Sequence, residues 1–229
     1  MPTPGRPGST PRTKVRRLAE KAVTDRAALY AVLDAGLVAH VSVSDDAGQP
    51  YVMPVAYARQ DDQVLFHGST GSRLFRRLAA GEPTCLTVTL LDGLVLARST
   101  FESSMHYRSA MVLGVATKVN GPAKLVALQT VTDHLLPGRW AEARQPSKKE
   151  LAATMVLALP LSETSVKIAD GPPTDEPDDL TWPAWAGVVP MTEAFGEPVP
   201  APDLQHPYPV PDYVRAWARP AAVRPTPRP

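Results

Sequence analysis

Val64-Leu65-Phe66-His67-Gly68-Ser69-Thr70-Gly71-Ser72-Arg73-Leu74-Phe75-Arg76-Arg77-Leu78 is the stretch whose reading decides the fold. Val64–Phe66 is a short apolar run of strand type, and Leu74, Phe75 and Leu78 recur at helical spacing. Small and hydroxylated residues join the two. A strand that ends this way and then opens a helix offers several backbone N–H groups to one anion. Gly68 and Gly71 let the backbone come close to a ligand, Ser69 and Ser72 add hydroxyl donors, and Arg73 adds a fixed fork of charge. This chemistry suits a phosphate. It is not a P-loop, because no Gly-Lys-Ser/Thr follows the glycines, and it is not a dinucleotide fingerprint. The same residues also read as a plain strand–turn–helix junction with a serine N-cap, and the stretch alone leaves both readings open.

On the N-terminal side, Thr24 is placed to cap a helix through Asp34, with Leu29, Val32 and Leu33 on one face and Gly36 as its stop. Strands follow at 37–43 and 50–58, separated by the turn Asp45-Asp46-Ala47-Gly48, and Arg59–Asp62 turns the chain into the 64–66 run. On the C-terminal side, two apolar runs flank Asp92-Gly93, the pair expected to form a tight hairpin turn. Tyr107–Val119 reads as a long strand with a bulge at Gly114. Asn120-Gly121-Pro122 starts a helix whose apolar face, Leu125–Leu136, stops at Pro137-Gly138. Lys148–Thr154 reads as a short helix, and Val156–Leu161 with Ser165–Ile168 as a closing strand pair. Many short antiparallel strands with a few outer helices predict a mainly β (α+β) barrel or sheet rather than a βαβ repeat.

The chain has 229 residues, 44% hydrophobic and 21% charged, which suits one domain with an extension. Its net charge of +1 gives no long-range field toward nucleic acid or a membrane surface, so neither is expected as a partner. Charge is unevenly placed: Met1–Thr24 carries six basic residues and one acid, and Asp170–Asp212 carries nine acids and no Lys or Arg. These segments either neutralise each other or a partner subunit, or remain solvated. The single cysteine, Cys85, lies in an apolar run and reads as a small buried hydrophobe; it allows no internal disulfide. With no signal peptide or membrane span in view, a cytoplasmic protein is expected.

Residues 1–13 are expected to be disordered, 14–170 to form the folded domain, and 171–229 to form an extended arm. Fifteen of the 26 prolines lie from Gly171 onward. Trp182, Trp185, Val188, Val189, Met191 and Phe195 are nonetheless costly to leave in water, at about 1.5–3 kcal/mol for each large apolar side chain. The arm is therefore expected to lie on its own or a neighbouring subunit to about Tyr213, with the last ten residues loose.

The His67–Arg73 loop, Val88-Thr89-Leu90-Leu91-Asp92-Gly93-Leu94-Val95-Leu96-Ala97-Arg98-Ser99, then His106-Tyr107-Arg108-Ser109 and Gly114, together resemble the pyridoxamine 5′-phosphate oxidase-related, FMN-binding split-barrel proteins. The similarity is greatest to the branch with the nitroimidazole-resistance reductases. It covers roughly Lys14–Asp170, and two arm segments, Trp-Ala-Gly-Val-Val-Pro and Pro-Ala-Pro-Asp-Leu, also resemble that branch. The resemblance implies an antiparallel split barrel, a homodimer, and FMN in a groove between subunits.

By resemblance, the FMN phosphate goes to Ser69, Ser72 and Arg73 beside Gly68, with His67 lining the entry. A bidentate arginine supplies charge-assisted bonds that lysine does not reproduce. Met53, Pro54 and Val55 are candidates for the backbone edge that meets the isoalloxazine, and Pro54, lacking an N–H, suits an interrupted or edge position. Tyr107, Arg108 and Ser109 reach the cofactor from the same or the opposing subunit. The implied activity is flavin-dependent electron transfer to a small substrate, with a reduced nicotinamide or deazaflavin as donor and His67 as a candidate proton donor. A second class is a flavin carrier or sensor without turnover, and a third reading puts deazaflavin or haem in the pocket. His40, in an alternating strand, reads as a structural residue rather than a ligand, and neither His134 nor His206 shares metal-ligand spacing with another histidine or carboxylate, so no metal site is expected. His106 also fits a turn cap. Ser103-Ser104 has no partnering base, and Asp45-Asp46, Asp61-Asp62 and Asp178-Asp179 read as solvated turns.

Overall fold

The structure, a computed structural model, describes residues 5–217. Its first half runs β1 (Ala22–Val23), α1 (Arg26–Ala35), β2 (Val38–Ser44), β3 (Pro50–Gln60), β4 (Gln63–Ser69), α2 (Arg73–Ala79), β5 (Pro83–Leu96) and β6 (Ser104–Val115). The second half runs β7 (Thr117–Lys118), α3 (Pro122–Leu135), α4 (Arg139–Glu142), α5 (Lys148–Ala153), β8 (Thr154–Pro160), β9 (Glu163–Ala169), β10 (Gly187–Pro190) and α6 (Asp212–Arg215). The strands form one antiparallel sheet in the order β1-β9-β6-β5-β2-β3-β4-β8-β7, with β10 added to the far half of β5. The sheet coils into a barrel that splits along β3. Tyr57–Gln60 of β3 pair with β4, whereas residues 50–56 pair with β2 alone.

Alternation explains which face closes on the core. On β2, Ala39, Val41 and Val43 are buried while His40 and Ser44 are exposed. They pack with Leu29, Val32 and Leu33 of α1 and with Phe66, Leu86, Val112 and Leu159. Tyr57 crosses this core to donate its hydroxyl to Leu33 O at 2.6 Å, and Gly36 admits that hydroxyl and Val88 where a Cβ would clash. A second cluster lies on the other face of β4 and β8. There Leu65, Val156 and Ala158 meet Ala127 and Val131 of α3.

Several expectations need correction. Asp92-Gly93 does not turn the chain. β5 runs straight through it, and the register with β6 shifts between Leu91 and Gly93, which makes Asp92 the extra residue of a bulge. Burial follows the slip: Thr84, Leu86, Val88 and Leu90 face inward before it, Gly93 and Val95 after it. Gly93 is kept small by β10, because a Cβ there would lie 2.9 Å from Val189 O. Gly114 carries no bulge; it pairs in register with Thr84 beneath Leu159. The last two long strands do not pair with each other. β8 joins β4 and β7, and β9 joins β6 and β1. The cap of α1 is Asp25, not Thr24, its carboxylate accepting from Ala27 N at 3.2 Å.

The segment expected to be disordered at 1–13 is tied down from Gly5 onward. Gly8 N donates to Thr164 O at 2.7 Å, Thr13 is buried, and Arg12 pairs with Glu163. Residues 1–4 lie outside the described residues, as do the last ten residues expected to be loose. The arm docks through β10, and Asp175 anchors its start by accepting from Arg98 N at 2.6 Å and Arg98 Nη1 at 2.9 Å. Its far end returns to α4, where Trp217 Nε1 donates to Pro137 O at 2.9 Å. Trp182, Trp185 and Phe195 are exposed on the single chain, so within one chain they are not buried by the arm's docking. Among the described residues, no helix is long and apolar enough to cross a membrane.

Candidate functional site

The strand-to-helix corner forms as its residue types dictate. Phe66 faces the core, so His67 and Ser69 face the opposite side of β4, and the chain leaves the strand at Ser69. Ser69 Oγ accepts from Gly71 N at 3.1 Å, and Ser72 N donates to Ser69 O at 3.0 Å. Ser72 occupies the N-cap of α2 in extended backbone geometry, but its hydroxyl makes no capping bond. Gly68 has a different reason from the expected one: the Phe75 ring of α2 takes the space where a Cβ would sit, 2.3 Å away. The ring, not a ligand, makes the close approach. Gly71 has no such constraint, since a Cβ there would meet only Ser69 Oγ at 3.5 Å.

Arg73 is exposed and sits over the Tyr51 ring of β3, its guanidinium carbon 4.3 Å from the ring centroid. Tyr51 donates to Asp45 Oδ2 at 3.2 Å. The Asp45 carboxyl is held below its ordinary pKa chiefly by the Gln49 and Ala47 amides, with Tyr51 and the Arg73 charge adding to this. Arg73 forms no ion pair among the described residues. His67 is exposed on β4, and desolvation by its neighbours moves its pKa below the ordinary histidine value.

Met53, Pro54 and Val55 lie on the half of β3 that has left β4, opposite Val41, His40 and Ala39 of β2. Met53 and Val55 share the inward face of Val41 and Ala39, whereas Pro54 faces outward with His40. The other edge of this half-strand has no strand partner among the described residues, so its backbone groups open into the split. Tyr107, Arg108 and Ser109 are not brought to this place within one chain. They sit on β6, separated from β3 by β5 and β2. Arg108 is moreover committed to Asp92, with two bonds of 2.7 and 2.6 Å.

A sequence profile described as pyridoxamine 5′-phosphate oxidase matches residues 25–168. The chain belongs to the pyridoxamine 5′-phosphate oxidase family. Two solved structures of high likeness extend past that profile into the arm. The FAD and heme binding protein from Mycobacterium smegmatis is 43% identical, covers 85% of this chain and 96% of its own, and superposes with a TM-score of 0.82. The flavocytochrome Anf3 from Azotobacter vinelandii is 38% identical over 94% of this chain and 99% of its own, with a TM-score of 0.87. A putative 5-nitroimidazole antibiotic resistance protein from Bacteroides thetaiotaomicron, 20% identical over 64% of this chain and 86% of its own, shares the fold at a TM-score of 0.56. A comparison with curated proteins finds no match.

In this family member, two clefts flank the strands that carry the predicted residues. One, of about 320 Å³, crosses the outer face of β5, β6 and β9 and includes Ser109 with Thr87, Thr89, Met111 and Lys167. The other, of about 240 Å³, adjoins the β4–α2 corner and is lined by Thr70, Lys118, Asn120, Lys124, Thr154 and neighbouring apolar residues. Sequence reasoning missed Tyr51, Lys118 and Lys124. Tyr51 was visible two residues before Met53, on the same strand face, but the stack on Arg73 depends on a turn from α2. Lys118 and Lys124 carry no motif and meet only because β7 and the start of α3 both pass β8. No cluster of three or more potential metal ligands occurs among the described residues.

Proposed function

We propose that the protein is a flavin-dependent redox protein that works as a homodimer. The observation that carries the reading is the pairing of an open half-strand, residues 50–56, with the Ser69–Arg73 corner beside it. A flavin needs both: backbone groups for the ring edge and a cation with hydroxyls for the phosphate. Arg73, oriented by Tyr51, would hold the phosphate, with Ser69 and Ser72 as further donors and Met53 and Val55 along the ring. When bound, the flavin supplies the hydride and single-electron chemistry; the residues of this chain bind, orient and shield it.

The family resemblance pointed to FMN. The FAD and heme binding relative at 43% identity favours FAD, whose FMN half would use the same corner. Dimerisation is supported by the outward face of β2, β3 and β5, where Val38, Val52 and Leu91 are exposed. Across such a dimer, Tyr107 and Ser109 of one subunit would approach the flavin of the other.

A haem is the second group this reading takes from its relatives, one described as binding FAD and heme, the other as a flavocytochrome. His67, exposed on β4 beside the Ser69–Arg73 corner, would be the candidate iron ligand.

The test is the spectrum and mass of the purified protein. Flavin bands in the blue and near ultraviolet, reduction by a nicotinamide or deazaflavin donor, and a dimer mass are expected, with a Soret band where haem is retained. A colourless monomer that ignores added FMN, FAD and haem would end the proposal. A flavin that binds and never reduces would leave a carrier, not a redox enzyme.

A further inference from the structure

The cleft beside the β4–α2 corner has no role in holding the FMN half of a flavin, yet it opens where a dinucleotide would have to continue. FAD is FMN extended through its own phosphate, so its second phosphate must leave from the Ser69–Arg73 corner. Thr70 belongs to both places: it follows Ser69 in the corner and lines the cleft. Its N–H donates to Ala153 O at 2.9 Å, which seats the corner on the last residue of α5, next to the start of β8. Beyond it, the walls are Lys118 on β7, Asn120, Lys124 on α3, and Thr154 to Val156 of β8.

The charge of this cleft is one-sided. Its lining residues include two lysines and no carboxylate. Lys124 Nζ donates to Leu151 O at 2.5 Å, which fixes the ammonium while leaving further N–H donors free. Lys118 forms no ion pair among the described residues. The Thr70 and Thr154 hydroxyls donate to Ala153 O at 3.2 Å and Glu150 O at 2.8 Å, so they hold the wall and are not spare donors. The 14-residue helix α3 starts between Asn120 and Lys124 and adds the positive end of its dipole. Val119 N donates to Val156 O at 3.0 Å, which ties this wall of the cleft to β8.

We propose that this cleft takes the adenylate half of FAD, with Lys118 and Lys124 beside its second phosphate, and that these lysines set the preference of the protein for FAD over FMN. The inference rests on the flavin reading given above. It is tested by titrating flavin-free protein with FAD and with FMN, in the wild type and in Lys118→Glu and Lys124→Met variants checked for unchanged thermal unfolding. Wild-type protein should bind FAD at least about tenfold more tightly than FMN, and each variant should lose about tenfold or more for FAD while FMN affinity stays within about twofold. Equal losses for both flavins, or none, would overturn it, as would loss of haem content with FAD affinity intact. Adenosine diphosphate separates the two levels of the argument. If the wild type binds neither flavin, the flavin reading fails, and ADP binding that is indifferent to Lys118→Glu then overturns the cleft as well.

Discussion

Arg108 holds the Asp92 carboxylate through both oxygens, Nε at 2.7 Å and Nη2 at 2.6 Å, and so clamps β6 to the one residue of β5 that lies outside the ladder. The bulge would otherwise leave a half-buried carboxylate beside an interrupted register. Arg108→Ala should lower stability by about 1.5–3 kcal/mol, the range for a hydrogen bond to a charged group. Arg108→Lys should recover only part of this, because an ammonium cannot bridge both oxygens. Denaturant unfolding measures it. A fully stable lysine variant would show that the two-point contact is unimportant.

Gly93 follows that bulge, and its missing side chain lets β10 lie against β5. Gly93→Val should dislodge the strand, since a Cβ already meets Val189 O at 2.9 Å. Limited proteolysis should then cut the 171–200 region faster, while α1 and the main core stay protected. Unchanged cleavage would mean that the Asp175–Arg98 anchor holds the arm without β10.

Arg73→Ala should weaken flavin binding by about 1.5–3 kcal/mol, seen by fluorescence titration. Tyr51→Leu removes the ring under the guanidinium and should give a smaller loss in the same direction, about 0.5–1 kcal/mol for an exposed cation–π contact. If Tyr51→Leu matters and Arg73→Ala does not, the phosphate site lies elsewhere than this corner.

The strands and helices were legible because alternation on β2 and the 3.6-residue spacing on α1 and α3 are local signals, and both faces found a core to bury against. Asp92-Gly93 misled for a reason that is equally physical. The pair satisfies a tight turn by itself, and only Arg108 from β6 and β10 from the arm, both distant in sequence, make a bulge the better use of it. The closing strands were found, but not their partners, because pairing β8 with β4 and β9 with β6 is decided by the coil of the whole sheet. At the site, the Ser69–Arg73 corner could be read from a contiguous stretch. The stack on Tyr51 and the meeting of Lys118 with Lys124 depend on β3, β7 and α3 arriving together, and no spacing encodes that.

Gly68→Ala tests the packing reason for that glycine against the ligand-approach reason. A methyl group there would lie 2.3 Å from the Phe75 ring, so overpacking should cost about 1–3 kcal/mol. Phe75→Leu added to it should restore part of the loss, although the single Phe75→Leu change is destabilising. Simple additivity of the two losses would show that the ring and the glycine are not coupled.

Glu150 links the cleft wall to pH. Arg144 is the largest cause of its low pKa, followed by the Ser147 amide, and together they hold the carboxyl at about 2 against an ordinary 4.5. It is the acid of a capping box in which Ser147 Oγ accepts from Glu150 N at 3.3 Å and Ser147 N donates back to the carboxylate at 2.7 Å. The folded pKa lies below the unfolded one, so the contribution to folding is fully present above about 4.5 and is lost as pH falls from there toward about 2. Hydrogen exchange in α5 and at the start of β8 should therefore accelerate across that window, relative to the slope expected from intrinsic exchange. Glu150→Gln keeps the side-chain length and one acceptor but cannot titrate, so the added acceleration should vanish and the helix should be equally loose at both ends of the range. An identical acid response in the glutamine variant would place the titrating group elsewhere, and the other carboxyls held below their ordinary pKa, Asp45, Asp62 and Glu163, could be separated by the matching amide substitutions.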